Sequence, residues 1–251
     1  MIGMDGLGDR MKEYERVTRT VLPRRTYTLL RVDGRAFHSY LKGAGKPFDE
    51  AFMTAMDGVA EALCAEVGGA VLAYTQSDEV SVLAVDFAAP GTQAWFGGEV
   101  QKWCSVAASV ATAALGTGAM FDARVFTVPD PGEVAGYFLW RQRDAVRNSI
   151  SMAAQAVFPH GRLQNLHSGA VQELLWSEAG INWNDYPAGC KRGRLTVKES
   201  GPQSVTFTHK RTGEEQTVVA EHSWWSTTPA PHFTSAVLAG MIPPYPRGAT
   251  R

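Results

Sequence analysis

Basic charge and long hydrophobic runs are both scarce in this sequence of 251 residues. Its 24 Lys and Arg residues are offset by 25 Asp and Glu residues, which gives a formal net charge of −1. A domain that binds nucleic acid usually has a basic excess, so the overall charge argues against such a partner, although a local basic patch is sufficient for one. No run of about 18 apolar residues occurs, so we expect no membrane-spanning helix. Residues 1–16 also lack the apolar region of a signal peptide.

Cysteine is scarce too, and the motifs of several enzyme classes are missing. Cys64, Cys104 and Cys190 are far apart and have no metal-ligand spacing, which indicates structural thiols in a reducing cytoplasm. The six histidines are scattered, with no HExxH or other zinc spacing. The sequence contains no GxxxxGK motif and suggests no Ser-His-Asp grouping, so neither a P-loop nor a catalytic triad is expected.

Two adjacent carboxylates, Asp78 and Glu79, lie in the middle of an apolar stretch. Residues 73–74 and 80–85 are rich in β-branched and aromatic side chains, which predicts the two strands of a hairpin. The tip between them reads Gln-Ser-Asp-Glu. Adjacent carboxylates repel each other, so a bound cation would offset the electrostatic cost. A solvated turn is the alternative interpretation of this pair taken alone.

A further carboxylate follows a predicted strand upstream. Residues 27–32 are typical of a buried strand, and Asp33 and Gly34 come directly after them. Glycine at a strand end lets the backbone approach a ligand closely, and the amides that follow can face an anion. Mg²⁺ prefers a few carboxylate oxygens together with substrate phosphates. Asp33 and Asp78 on neighbouring strand ends would supply those oxygens, which is the form of a two-metal nucleotidyl-transfer site.

The order of the predicted elements indicates an α+β fold. Apolar residues recur at helical spacing over residues 49–67, and small residues are frequent over residues 100–115, which predicts two core-facing helices. Residues 121–128 are typical of another strand. With the strand before Asp33 and the hairpin at Asp78, these elements make two strand-helix-strand units. This order predicts a ferredoxin-like antiparallel sheet with helices on one face.

Residues 131–251 differ in character from residues 1–130, and we expect them to form a C-terminal extension of helices and a β-hairpin. The remaining predicted elements are a helix over residues 7–20, a polar loop over 38–45, helices over 132–158 and 171–179, short strands over 195–198, 205–209 and 217–220, and an irregular Pro-rich tail after 225.

Six segments of the chain resemble the tRNA-His guanylyltransferase superfamily, whose members add nucleotides in the 3′-to-5′ direction. The segments occur in the family's order and with close spacing, between about Tyr27 and Gly193. They read RVDGRAFHSY (31–40), GKPFDEAFMTAM (45–56), YTQSDEVSV (74–82), FDARVFTVP (121–129), WRQRD (140–144) and GINWNDYP (180–187). The resemblance implies that the ferredoxin-like part, residues 1–130, is a polymerase-type palm and the catalytic domain, and that residues 131–251 face RNA.

The resemblance also implies the catalytic residues and the cofactor. Two Mg²⁺ ions would be held by Asp33, by the carbonyl oxygen of Gly34 and by Asp78, for in-line attack of a 3′-hydroxyl at phosphorus. Glu79 counts with Asp33 and Asp78 among the catalytic residues, in a supporting role, as an ion-pair partner or as a direct ligand. The implied nucleotide-binding residues are Asp33, Gly34, Arg35, Ala36, Phe37, His38, Lys46, Asp49, Ser77 and Asp78. The family usually has Asn where this chain has Phe48.

Three basic residues match family positions that bind a second triphosphate or the 5′-phosphate end of tRNA. They are Arg31, Lys102 and Arg124. Arg31 precedes Asp33 by two residues and so shares its face of the strand. A structural ion pair is therefore the alternative interpretation of Arg31.

Four polar residues on the helix predicted over 132–158 are expected to contact tRNA, with a solvated helix face as the alternative. They are Arg141, Gln142, Arg143 and Asn148. Eukaryotic members of the family have His-Ile-Asn-Asn-Leu-Tyr-Asn after the Trp-Arg-Gln-x-Asp motif, which here is residues 140–144. In this chain Val146 takes the position of the His, and Asn148 keeps that of the first Asn. The segment is similar to that of the bacterial and archaeal members.

The resemblance to those members implies template-dependent repair of 5′-truncated tRNA, with GTP or other nucleoside triphosphates as substrates and with ATP for activation of the 5′ end. A homotetramer is expected, because the family forms tetramers. The cytoplasm is expected from the sparse cysteines. Three alternatives remain open at this point. They are a non-templated tRNA-His guanylyltransferase, a nucleotidyl cyclase on the same palm, and an RNA-binding module without catalysis.

Overall fold

The computed structural model describes residues 4–116 and 118–245 of the chain. The helices, in chain order, are α1 (Met4–Arg16), α2 (Phe37–Tyr40), α3 (Glu50–Glu66), α4 (Val100–Leu115), α5 (Pro131–Gln155), α6 (His160–Leu163), α7 (Ser168–Ala179), α8 (Ala188–Arg192) and α9 (Ser235–Ala239). The strands are β1 (Tyr27–Gly34), β2 (Ala70–Gln76), β3 (Glu79–Val85), β4 (Phe121–Val128), β5 (Arg194–Thr208) and β6 (Glu215–Pro229). Short 3₁₀ segments cover Trp95–Gly98 and Trp183–Asp185.

The six strands form one antiparallel sheet in the order β4-β1-β3-β2-β5-β6. The first four strands are connected as β1-α3-β2-β3-α4-β4, so the two strand-helix-strand units are split across the sheet. The prediction of an α+β fold with an antiparallel sheet is confirmed. β5 pairs with β2 and β6 with β5, so the C-terminal hairpin continues the same sheet.

One face of the sheet is covered by α3 and α4. The chain enters α3 at Asp49, whose carboxylate accepts a hydrogen bond from the amide of Phe52 and so satisfies one of the unpaired donors of the first turn. Met56, Val59 and Leu63 then recur at helical spacing and are fully buried. They pack against the side chains of β1 and β3 that point to this face.

The other face of the sheet is covered by α5 and α9, so helices lie on both faces rather than on one. Tyr27 and Leu29 of β1 alternate with Leu30 and Val32 and point to this second face. Their partners come from residues far along the chain, such as Phe138 of α5. The sequence pattern of β1 is apolar on both sides, which is what a strand buried on both faces requires.

Three other expectations are corrected by the structure. The region predicted as a loop over 38–45 begins inside α2. The three short strands predicted after residue 194 are two strands of 15 residues each, because the polar stretches between the apolar runs also pair across the hairpin. The tail predicted as irregular after 225 continues as β6 to Pro229 and then forms α9.

The N-terminal helix α1 begins and ends a few residues before the range predicted for it, 7–20. Each of its residues from 6 to 16 is exposed. Within the described part of the chain, no helix is both long enough and apolar enough to cross a bilayer.

Candidate active site

Asp33 and Asp78 meet at one end of the central strands. Asp33 is the penultimate residue of β1, and Asp78 lies in the two-residue turn between β2 and β3. The amide of Gly34 donates a hydrogen bond of 3.1 Å to the carbonyl oxygen of Asp78. Asp33 is also the cross-strand partner of Glu79. The fold therefore brings together the two carboxylates that the sequence predicted as metal ligands.

The carboxylate of Asp78 is in an unfavourable place for a charge. Burial raises its pKa above the usual value; hydrogen bonds from its own amide and from Ser77 oppose this rise, and the charge of Asp33 adds to it. In the described part of the chain, neither Asp33 nor Asp78 has a Lys, Arg or His partner within 4.0 Å. Two neighbouring carboxylates without a cationic partner are the arrangement that a bound cation stabilises.

Glu79, one residue further on, has the opposite surroundings. It is buried, and its carboxylate faces Arg141 Nε at 2.9 Å and Arg31 Nε at 3.8 Å. Both contacts are ion pairs without hydrogen-bond alignment, because neither Nε has a hydrogen-bond partner among the described residues. Burial raises the pKa of Glu79, and the two guanidinium groups oppose that rise. Glu79 therefore serves as the anchor of two arginines.

The segment after β1 turns sharply away from the sheet. The amide of Arg35 is bonded to the carbonyl oxygen of Met120, and Ala36 has a left-handed conformation, with φ of 56°, at the start of α2. Phe37 is buried. A Cβ on Gly34 would lie 2.4 Å from the ring of Phe37, so glycine is required for this ring to pack. Arg35, Ala36 and His38 are exposed.

A cavity of about 400 Å³ lies beside the tip of the β2–β3 hairpin. Its walls come from the α2–α3 loop, the hairpin tip, α5 and α8. Residues predicted to bind the nucleotide that line it are His38, Lys46, Asp49 and Ser77. Phe48 also lines it and packs edge-on against Tyr186, with ring centroids 5.2 Å apart. The volume suits a nucleoside-sized ligand.

Asp49, which lines this cavity, stabilises the loop before α3. Its two carboxylate oxygens accept hydrogen bonds from the amides of Phe52, at 2.8 Å, and Gly45, at 2.7 Å. These bonds lower the pKa of Asp49. They tie the loop that carries Lys46 to the start of α3. Lys46 itself is exposed.

Arg31 and Arg124 lie directly opposite each other on β1 and β4. Arg31 is held by Glu79, and Arg124 contacts Asp122 at 3.3 Å. Cross-strand residues of like charge repel each other, so each guanidinium is placed beside a carboxylate of the same sheet. The two arginines share the face of the sheet that α5 covers.

Lys102 does not join these arginines within one chain. It lies in the first turn of α4, which packs on the opposite face of the sheet. It is about 20 Å along the helix axis from Leu115, at 1.5 Å per residue, and Leu115 leads into the strand end next to Gly34. The Nζ atom of Lys102 lies 5.7 Å from the ring centroid of Phe96. The pocket predicted from all three basic residues is therefore not formed by this chain alone.

Of the four residues of α5 expected to contact tRNA, two are buried. Arg141 pairs with Glu79 and with Asp144, at 2.7 Å. Gln142 donates to the carbonyl oxygen of Pro231, at 2.8 Å, and accepts from the amide of Phe233, at 2.7 Å. The buried face of α5 includes these two polar positions as well as the apolar ones. Their side chains therefore bond to groups of the protein itself.

The two others, Arg143 and Asn148, are exposed, and Asn148 lines the cavity.

Gln76 is a site residue that the sequence reasoning missed. It is buried, donates to Glu79 at 3.3 Å and lines the cavity, and its Oε1 atom has no hydrogen-bond partner among the described residues. Its place directly before Ser77 and Asp78 was the available signal. Gln76 is the last residue of β2 and the cross-strand partner of Glu79, so the two side chains lie on the same face of the hairpin.

The donor set at Asp33 and Asp78 fits magnesium. In the described part of the chain, no three His, Cys, Asp or Glu side chains converge on a common metal position. Two carboxylates and the nearby backbone carbonyl are oxygen ligands, and Mg²⁺ takes its remaining ligands from water and substrate phosphates. The unbalanced charge of the pair is the observation that supports this fit.

Fold and site together define an enzyme of the nucleotidyl-transfer class. Two carboxylates that have no basic partner among the described residues lie at the end of a split strand-helix-strand sheet, between a nucleoside-sized cavity and a pair of arginines. This is the arrangement needed to hold two phosphate-bearing groups against each other.

Comparison with known proteins specifies the family. A sequence model of the family described as tRNAHis guanylyltransferase (Thg1) matches residues 8–129. A bacterial tRNA(His) guanylyltransferase-like protein in complex with ATP superposes with a TM-score of 0.80 at 38% identity, over 94% of this chain and 99% of that chain. A bacterial protein of the same description in complex with GTP gives a TM-score of 0.74 at 39% identity, over 90% and 93% of the two chains. The tRNA(His) guanylyltransferase of Schizosaccharomyces pombe is 28% identical over 213 residues, which cover 75% of this chain and 79% of the fungal protein.

This chain belongs to the tRNA(His) guanylyltransferase family, and it is a nucleotidyltransferase of that family.

Proposed function

We propose that this protein is a magnesium-dependent 3′-to-5′ nucleotidyltransferase that repairs the 5′ end of truncated tRNA by template-directed addition. The observation that carries the proposal is the pair of carboxylates, Asp33 and Asp78, which lie beside the cavity and have no cationic partner in the part of the chain that the structure describes. A binding module has no use for a like-charged pair that lowers its stability. The split sheet of β1 to β4 is, in this proposal, the palm that holds both substrates.

The reaction requires two phosphate-bearing groups to meet. The 3′-hydroxyl oxygen of the incoming nucleotide forms a bond to the α-phosphorus of a 5′-triphosphorylated RNA. The bond from that phosphorus to the β-phosphate oxygen breaks, and pyrophosphate leaves with the bonding electrons while the hydroxyl proton passes to solvent. A 5′-monophosphorylated RNA lacks this leaving group, so its end would first be activated with ATP.

Asp33, Asp78 and the carbonyl oxygen of Gly34 would hold the magnesium ions. When bound, the ions would lower the pKa of the 3′-hydroxyl and neutralise charge on the phosphates. The protein's own groups place the reactants. Lys46 at the cavity mouth would face the incoming triphosphate, and Arg31 with Arg124 would face the phosphates of the RNA end.

The cavity is the proposed place of the incoming nucleoside. The bacterial relatives were solved with ATP and with GTP, and we propose that this chain binds both nucleotides. The loop that carries Lys46 is fixed to α3 by Asp49, so the cavity is preorganised. Ser77 and Asn148, on facing walls, would provide hydrogen bonds to the ligand.

Template dependence is proposed from the segment around Val146. This side chain packs partly buried in the small cluster under α5 and α7, where the eukaryotic pattern has a His. A recognition His at that position is therefore absent, and base pairing with the opposite acceptor strand would select the nucleotide instead. The greater identity to the bacterial proteins than to the fungal enzyme agrees with this assignment.

The test is extension of a 5′-truncated tRNA in its monophosphorylated and triphosphorylated forms, with NTPs and Mg²⁺. Four tRNAs that differ in the template base opposite the missing nucleotide are compared, and the products are sequenced. We expect the added nucleotide to pair with the template base in each case. Addition of G opposite all four bases would identify a non-templated tRNA-His enzyme, and cyclic nucleotide without extended RNA would identify a cyclase.

Asp78→Ala serves as the inactive control in this experiment. It should lower extension by at least a hundredfold, because each 1.4 kcal/mol of lost barrier stabilisation is about tenfold in rate. Asp9→Ala, on the exposed helix α1, should leave the rate unchanged. Residual activity of Asp78→Ala within tenfold of the parent would show that Asp78 does not hold the metal.

The proposal also includes the organisation of the molecule. Residues 1–130 would be the catalytic part and residues 131–251 the part that faces RNA. As the resemblance implies, the enzyme would be a homotetramer that acts on tRNA in the cytoplasm. Light scattering at micromolar concentration would establish its mass.

A further inference from the structure

Trp140 of α5 is half exposed, with 50% of its surface accessible, although it lies beside the buried ion pairs of the site. The guanidinium carbon of Arg141 lies 4.3 Å from its ring centroid, and the ring of Tyr137 is 5.8 Å away. Arg141 is in turn fixed by Glu79 and Asp144. The indole is therefore held in place on one side and open on the other. An aromatic ring that is fixed on one side and open on the other can stack on a ligand.

The open side of Trp140 belongs to a surface that α5 and β4 share. Tyr137, one turn before Trp140, packs on Phe126 of β4, with ring centroids 5.6 Å apart. Arg124 precedes Phe126 by two residues, so it points to the same face, and Arg31 lies opposite Arg124. We call this surface the α5–β4 groove; its residues are Tyr137, Trp140, Arg124, Phe126 and Arg31.

The groove combines an aromatic surface with positive charge. The side chain of Arg124 is 53% exposed and pairs with Asp122, and that of Arg147, two turns after Trp140 on α5, is 62% exposed and pairs with Asp144. The Nε atom of the largely buried Arg31 has no hydrogen-bond partner among the described residues. An aromatic ring flanked by arginines is the arrangement that binds an unpaired nucleotide, through stacking of the base and charge on the phosphate.

The groove also leads to the catalytic carboxylates. Arg31 lies two residues before Asp33 on β1, and Glu79, which anchors both Arg31 and Arg141, follows Asp78. The nucleoside-sized cavity opens beside Ser77 and Lys46 on the α3 and α8 side. Two substrates that react at these carboxylates need separate approaches, and the groove is the second one.

We propose that Trp140 stacks on the base of the RNA's 5′-terminal nucleotide while Arg31 and Arg124 face its phosphates. The proposal rests on the proposed function, since it assigns the RNA end to a place within that site. A second copy of this chain would also cover an exposed indole, but the Nε of Arg31, which has no hydrogen-bond partner among the described residues, and the exposed guanidinium groups favour an anionic ligand. Trp140 would then set the register of the RNA end relative to Asp33 and Asp78.

The test uses a 5′-triphosphorylated tRNA acceptor hairpin with 2-aminopurine as its first nucleotide, bound to the protein in Mg²⁺ without NTP. Stacking on an indole quenches 2-aminopurine, so the parent protein should quench it and Trp140→Ala should not. Trp176→Ala is the matched control, because Trp176 is an equally exposed tryptophan on α7, with 60% of its surface accessible. A probe at the fourth nucleotide should respond equally to all three proteins.

Kinetics supply a second readout. In Trp140→Ala the RNA concentration for half-maximal extension should rise about tenfold, as expected for loss of one stacked base, with the half-saturating NTP concentration unchanged. Trp140→Phe should recover most of the loss. If quenching depends on Trp140 but no RNA is extended, the result would support stacking of the RNA end on Trp140 and refute the proposed reaction. Equal quenching by Trp140→Ala and the parent, or a change in oligomer mass with unchanged quenching, would overturn the proposal.

Discussion

At the scale of single residues, Asp78 and Glu79 are sequence neighbours with opposite electrostatic surroundings. Glu79 is buried between two guanidinium groups, whereas Asp78 faces another carboxylate and, among residues 4–116 and 118–245, no cation. Their surroundings differ because Asp78 remains in the turn, whereas Glu79 is the first residue of strand β3. Glu79 therefore contributes to the integrity of the site, and Asp78 is kept at a cost in stability.

This difference predicts a pH-dependent gain in stability for Asp78→Asn. The pKa of Asp78 is raised in the folded state above its usual value of 3.8, chiefly by burial. The stability that this carboxyl contributes is therefore present below its unfolded pKa and is lost as the pH rises through the folded value. Asp78→Asn should be more stable than the parent at pH 7, and the difference should shrink as the pH falls through the raised pKa.

Urea unfolding at a series of pH values, with chelator present to remove divalent ions, measures this difference. Asp9→Asn, at an exposed position of α1, is the matched control and should show no such trend. A parent that is as stable as Asp78→Asn at neutral pH would contradict the electrostatic account of the pair.

At the scale of elements, the junction from α8 to β5 depends on Gly193. Its φ is +76°, and a Cβ there would lie 2.5 Å from the carbonyl oxygen of Thr75 and 2.6 Å from the hydroxyl of Tyr74. That hydroxyl donates a hydrogen bond of 2.7 Å to the carbonyl oxygen of Arg192. The close approach lets β5 pair with β2 and so joins the C-terminal hairpin to the sheet.

Gly193→Ala should therefore destabilise the protein by about 3 kcal/mol or more, from backbone strain and from the displaced neighbours. Gly213→Ala is the matched control, because Gly213 has a φ of +74° but nothing within 4 Å of the added Cβ. It should cost only about 1 kcal/mol, the strain alone. Thermal unfolding separates the two, at roughly 2–4 °C of Tm per kcal/mol. Equal losses in the two variants would show that the packing at Gly193 is not tight.

At the scale of the whole molecule, the second face of the sheet is completed by residues outside the segment 8–129 that the family model matches. Buried side chains from the C-terminal part that cover this face include Val134, Phe138, Leu195, Phe233, Leu238 and Ile242. Each buried side chain of this size contributes about 1.5–3 kcal/mol. Six such side chains sum to about 9–18 kcal/mol, which is as large as the whole stability of roughly 5–15 kcal/mol that a folded protein has.

A chain that ends at residue 130 should therefore fail to fold cooperatively, although it holds both catalytic carboxylates. The measurements are near-UV circular dichroism, dye binding to exposed apolar surface and urea unfolding. The matched control replaces residues 203–220, the exposed tip of the β5–β6 hairpin, with Asn-Gly and should retain a cooperative transition. A sharp transition in the chain of 130 residues would show that the palm is an independent domain.

The sequence allowed most helices and strands of the first 130 residues to be predicted, because their apolar spacing is regular. The bounds of α4 and β4 were predicted to the residue. Prediction was poorer after residue 194, where exposed strands carry polar side chains on both faces and leave no alternation to read. Local pattern could show neither the pairing of β5 with β2 nor the second layer of helices.

The strands and helices of the first 130 residues and the acidic motifs at Asp33 and Asp78 could be predicted from the sequence, because these features depend on neighbours within a few residues. Which charged side chains meet depends on the tertiary structure. It turned Arg141 inward to Glu79 and put Lys102 on the far face from Arg31, since the direction of a side chain depends on which face of the sheet its helix covers. Packing also partly buried Asp78 and placed no basic side chain of the described residues beside it, because desolvation and pairing are properties of the packed molecule.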